Sequence, residues 1–81
     1  MRRTHKLKID DDFMIAKLSG DKLFEIRFND RGFQKGDLVE YKFWNDKKMQ
    51  FDVYKYEITY VIGYNQKENR VVFGEKPWIG S

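Results

Sequence analysis

The chain has no cysteine, one proline and one histidine in 81 residues. Without cysteine, neither a disulfide nor a zinc–thiolate centre can staple the fold. His5, the lone histidine, cannot form a histidine-rich metal site, so neither a metal nor a cofactor is expected. No apolar run approaches the roughly 20 residues of a membrane-spanning helix. The basic start (Arg2, Arg3, Lys6, Lys8) lacks the apolar stretch of a signal peptide behind it. The expectation is therefore a soluble cytoplasmic monomer with no membrane contact. Neither sign of charge dominates: 16 Lys and Arg stand against 13 Asp and Glu, a net charge of +3. That mild basic excess fits a phosphate-bearing partner, and it fits an ordinary mixed surface equally well.

What the chain does have is aromatic residues, 17% of the total. Each buried ring removes roughly 150–250 Å² from water, which helps a domain near the lower size limit to form a core. The patterning predicts one domain over residues 1–81, in the order β-α-β-β-β-β, with residues 76–81 as a loose tail unless Pro77 and Trp78 fold back. Strands are predicted at 4–9, 22–28, 38–44, 50–64 and 70–74, with turns at Asn29 to Gly32, Lys35 to Asp37, Asn45 to Lys48 and Lys67 to Asn69. A short helix is predicted over 11–18, with Asp10 as N-cap, Asp11 and Asp12 at the positive end of its dipole, and Gly20 as the left-handed residue after its end. Tyr54, Tyr56, Ile58, Tyr60 and Ile62 keep period two in the long strand while Phe51 and Val53 fall out of phase, so a bulge is expected near Val53. Many short strands with a single helix argue for a small β-barrel or half-barrel capped by that helix.

The densest chemistry lies between Gly20 and Asp37. On a strand over 22–28, alternation predicts Phe24, Ile26 and Phe28 toward the core, with Glu25 and Arg27 projecting from the other face. Lys22, Glu25, Arg27, Asp30 and Arg31 then surround one surface. Two readings stay open. The charges either satisfy one another and pin the turn, or they read a ligand, with Lys22 and Arg27 on phosphate and Glu25 accepting from a base amino group. Lys8 stands nearby on the first strand, and Asn29 and Asp30 are turn-formers within reach of the same ligand. The acidic run Asp10 to Asp12 is explained by the helix start and not by a cation. Tyr41, Tyr54, Tyr56 and Tyr60 are expected in the barrel core with wet hydroxyls. Trp44 and Trp78 are candidate anchors should the chain be a protein-interaction module.

Gly20, Lys22, Glu25 and Arg27 match the G-x-K-x-x-E-x-R signature of ASCH domains, which share the PUA-like barrel. The chain most closely resembles a short bacterial and phage branch of that superfamily. That branch carries H-x-L-K-I, here His5, Leu7, Lys8 and Ile9. It also carries F-E-I-R-x-N-D-R, here Phe24 to Arg27 and Asn29 to Arg31, and a G-D pair, here Gly36 and Asp37. The resemblance implies a barrel with a cleft between barrel and helix, bordered by the signature residues and occupied by RNA, a nucleotide or a nucleoside. It also implies an alternative, because a related amidohydrolase branch deacetylates acetylated cytidine and some relatives are reported as ribonucleases. Lys22 matches the lysine of that amidohydrolase, but Glu25 stands where its threonine hydroxyl would be, so catalysis here would fall to Lys22 and Glu25. Binding is the favoured reading.

Overall fold

The chain folds as β1 (Thr4–Lys8), α1 (Asp11–Leu18), β2 (Phe24–Phe28), β3 (Leu38–Asn45), β4 (Gln50–Asn65) and β5 (Arg70–Pro77). The computed structural model describes residues 2–65 and 68–80. The predicted order and the mostly β character with one short helix both hold. The strands form one sheet in the order β1-β3-β4-β5-β2. β1 runs parallel to β3, and every other pairing is antiparallel. The sheet curls into a half-barrel and does not close, so β1 and β2 remain its two edges. Arg27 reaches across from β2 to the Lys8 carbonyl at the end of β1, at 3.3 Å. No helix among the described residues is long and apolar enough to cross a membrane.

The helix follows its sequence signals at both ends. Asp10 is the N-cap with extended backbone, although its side chain makes no capping bond. Gly20 takes φ +85°, which a side-chain-bearing residue adopts only at a cost. Through that turn the Asp21 and Lys22 amides both donate to the Ala16 carbonyl, which brings Lys22 back beside the helix. The buried face of the helix is Met14 and Lys17, whereas Phe13, Ile15 and Leu18 are exposed.

The core is Leu7, Met14, Phe33, Val39, Tyr41, Phe43, Tyr56, Ile58, Val71 and Phe73, with Ile9 and Val61 packed against it. The β3–β4 register runs unbroken from Leu38↔Glu57 to Asn45↔Gln50, so the bulge expected near Val53 is absent. The irregularities fall later, between Ile58 and Tyr60 and between Gly63 and Asn65. The first of them turns the strand over. Tyr56 and Ile58 point inward, Val61 continues that face, and Tyr60 and Ile62 are expelled to the outer surface. Tyr60 then lies across Gly74, where a β-carbon would collide with its ring. Of the tail expected over 76–81, residues 76–78 are held, because β5 continues to Pro77 and the Trp78 amide donates to the Lys55 carbonyl at 3.0 Å. The turn expected at 67–69 begins at Lys67, which lies outside the described residues.

The largest departure from expectation is in β2, whose faces are reversed. Phe24, Ile26 and Phe28 are 41%, 41% and 54% exposed, while Glu25 is 5% exposed and faces Phe73 across the β2–β5 pair. Buried carboxylates are normally excluded from a core by their desolvation cost. Here Lys17, from the buried face of α1, compensates that cost.

Candidate ligand-binding cleft

Lys17 is 1% exposed, and its Nζ sits 2.6 Å from Glu75 Oε1 and 2.8 Å from Glu25 Oε1. It also donates to the Phe24 carbonyl at 3.3 Å. The Tyr41 hydroxyl donates to Glu75, 2.7 Å from Oε1 and 2.8 Å from Oε2. No buried side-chain nitrogen or oxygen among the described residues lacks a hydrogen-bond partner, so the interior polar network is complete.

Glu25 forms the upper end of this network. Its Oε1 takes Lys17 and also Lys22, which donates at 3.0 Å, while its Oε2 accepts from Arg27 Nε at 3.1 Å. Burial alone would push the Glu25 carboxyl up, but the hydrogen bonds and charges of Lys17 and Lys22 outweigh it and hold the group below its ordinary value. Glu75 goes the other way. Its burial, with a contribution from the Glu25 charge, raises it despite Lys17 and Tyr41. The Tyr41 hydroxyl is raised far above its ordinary value by burial and by the neighbouring carboxylates. One lysine thus bridges two carboxyls whose acidities are driven apart.

Above Glu25 opens a cleft of about 920 Å³. Lys8, Lys22, Glu25 and Arg27 line it, together with Phe13 and Phe24 from the helix start and β2 and Lys42, Phe43, Trp44 and Phe51 from the β3–β4 hairpin. Asp10, Asp11 and Asp46 complete its charged lining. The aromatic walls carry lysines. Lys22 Nζ lies 4.7 Å from the Phe13 ring centre, and Lys42 Nζ lies 4.6 Å from that of Phe51. Trp44 and Phe51 are cross-strand partners packed edge to face, and the Trp44 indole donates to Asp46 at 2.7 Å.

Of the residues singled out in the sequence, Lys8, Lys22, Glu25 and Arg27 meet in this cleft. Asp30 and Arg31 line a separate depression of about 140 Å³ with Leu7, Phe28 and Phe33, and Arg27 borders both. Asn29 lines neither. Its Oδ1 accepts from the Phe33 amide at 2.9 Å, which makes it a turn residue. His5 is buried, with Nε2 2.8 Å from Asp37 Oδ2 and its ring against Phe33. The basic arm is tied to the body, since Arg2 pairs with Glu57 at 3.3 Å and Arg3 donates to the Arg31 carbonyl at 3.0 Å. Tyr54 and Tyr60 are partly exposed and not core. The buried Tyr41 hydroxyl is bound to Glu75 and not wet. Among the described residues no cluster of three metal-ligating side chains exists.

Sequence reasoning missed Lys17, Glu75 and the Trp44–Phe51 wall. Lys17 lies one position before Leu18 and three after Met14, and only its spacing from Met14 hinted that it shares the buried face. Glu75 follows Gly74 in the strand, where the alternation from Val71 and Phe73 does place it inward.

No curated protein matches the chain. The family described as a domain of unknown function (DUF3850) matches residues 4–74, which span β1 through most of β5, and the chain belongs to that family.

Proposed function

We propose that the chain is a binding module for RNA or a nucleotide-like ligand, seated in the cleft above Glu25, and that its half-barrel is of the PUA-like, ASCH type. The observation that carries the reading is the juxtaposition of Lys22 and Arg27, each partly exposed and fixed by Glu25, with the aromatic wall of Trp44 and Phe51 across the same cleft. Aligned cations beside exposed rings are the combination that single-stranded nucleic acids and nucleotides require. Short single-stranded RNA titrated at low salt should bind, and Lys22→Ala or Arg27→Ala should weaken binding about tenfold while the Tm falls by only a few degrees. Unchanged affinity in both variants would remove the reading.

Hydrolysis through Lys22 and Glu25 finds less support. A carboxylate held by three cations with a lowered pKa is a poor proton acceptor near neutral pH. A protein-interaction role has one specific support, the outer sheet face where the rows Phe24–Gly74–Tyr60 and Ile26–Val72–Ile62 expose apolar side chains together. It lies on β2, β4 and β5, away from Trp78, which is covered by Arg2 at 4.6 Å. Ile62→Lys should leave RNA binding intact, and a loss of self-association in that variant would identify the face as a contact surface.

A further inference from the structure

Building on the binding reading, we propose that the cleft recognises one phosphate together with its attached planar base, without selecting the base. Lys22 and Arg27 take the phosphate, and the Trp44–Phe51 wall takes the ring.

A carboxylate offers about four lone-pair sites. Lys17, Lys22 and Arg27 occupy three of those on Glu25, so it has little left with which to read a base edge. Asp46 is engaged by the Trp44 indole. On the donor side, a lysine carries three N–H groups and an arginine five. One of those on Lys22 is engaged by Glu25, and two on Arg27 are engaged by Glu25 and the Lys8 carbonyl. Around Glu25 the cleft therefore has donors to give and few acceptors, its other carboxylates (Asp10, Asp11 and Asp46) coming from the helix start and the β3–β4 hairpin, and that suits a phosphate better than the mixed edge of a base. Glu25 acts as a positioning residue that aims the two cations.

The charges of the cleft balance. The lining holds four basic groups, Lys8, Lys22, Arg27 and Lys42, against four acidic ones, Asp10, Asp11, Glu25 and Asp46. A groove that tracks a polyanionic backbone needs an excess of positive charge along its length. This cleft has no such excess, so it is built for a local phosphate and not for a long strand. Trp44 and Phe51 are 39% and 56% exposed on a regular hairpin, and a ring stacks on any base because every base has a π face.

The test uses Trp44 emission in a Trp78→Phe protein, where Trp44 is the sole tryptophan. Inorganic phosphate, the four nucleosides, their 5′-monophosphates and a single-stranded pentanucleotide are titrated in turn. Monophosphates should quench Trp44 and bind at least tenfold more tightly than their nucleosides, with the four bases within about threefold of one another. The logarithmic salt slope of the pentanucleotide should be no steeper than about −1.4, which corresponds to two phosphates. Trp44→Ala, followed by calorimetry, should weaken the monophosphates and leave inorganic phosphate unchanged. A pentanucleotide that matches the mononucleotide identifies a free nucleotide as a sufficient ligand, whereas a clear gain on the pentanucleotide at that shallow slope identifies one nucleotide of a strand. Nucleosides binding as well as monophosphates, or one base preferred more than tenfold, would overturn the inference and leave the binding reading standing. A pentanucleotide slope that steepens to four phosphates would do the same. Absence of binding by every ligand at low salt would remove both.

Discussion

Lys17 Nζ lies within 2.8 Å of two carboxylates inside the half-barrel, and among the described residues it is the only cation in contact with Glu75. Taking it away leaves one acid supported only by a tyrosine hydroxyl, a situation that typically costs about 3–5 kcal/mol. Lys17→Met should therefore lower the denaturation free energy by that order in urea unfolding, far more than Lys22→Met. Equal small losses in both variants would contradict the bridging role. Asp37 is a second residue with a definite electrostatic consequence. Burial would raise it, but it accepts from His5 and from the Arg3 and Gln34 amides, and these lower it overall. A carboxyl depressed in the folded state contributes stability that is present above its unfolded pKa, about 3.9, and is lost as pH falls through the folded value. Asp37→Asn should thus be less stable at neutral pH and should flatten the acid limb of a stability–pH profile below about pH 4. Glu25, also lowered, contributes to the same limb, while the raised Glu75 works in the opposite sense because it loses stability as pH rises through its folded pKa.

Among the elements, β2 and β4 are the informative ones. The approach of Tyr60 to Gly74 predicts that Gly74→Ala forces the Tyr60 ring off the sheet and costs about 1 kcal/mol. Because Tyr60 is itself exposed, Tyr60→Ala should absorb most of that cost, and a double-mutant cycle in chemical denaturation should show the coupling. Additive losses would mean that the ring does not set the spacing. The existence and order of the elements were readable from turn residues and periodicity, and the helix bounds coincide with Asp11–Leu18. The facing of β2 was not readable. Its Phe24, Ile26 and Phe28 alternate as a core face should, and only a buried cation from another element, Lys17 of α1, makes the opposite face stable. The β4 phase was misplaced for a related reason. Period two runs through Tyr60 and Ile62 in the sequence, and the irregularity that reverses it depends on pairing with β5, which local pattern does not contain. The site was half legible. The charged signature located Lys22, Glu25 and Arg27, whereas the aromatic wall depends on where a hairpin 20 residues away is placed.

At the scale of the molecule, the open edge between β1 and β2 is what creates the cleft. A closed barrel would cover Glu25, while the half-barrel leaves it at the base of an opening bordered by the helix start and the β3–β4 hairpin. The charged face that the alternation directs away from the barrel points into it, so in the proposed reading Glu25 serves both fold stability and ligand binding. Substitutions at Lys22 and Arg27 should therefore separate binding from folding, while substitutions at Lys17 and Glu25 should not. The most direct test of the account is a two-dimensional amide NMR titration of the wild-type protein with short single-stranded RNA at low salt. The account predicts shifts clustered on Lys8, Lys22, Arg27, Lys42, Trp44 and their neighbours, with residues around Trp78 unmoved. Shifts confined to the outer face at Tyr60, Ile62 and Val72, or none at all, would contradict it.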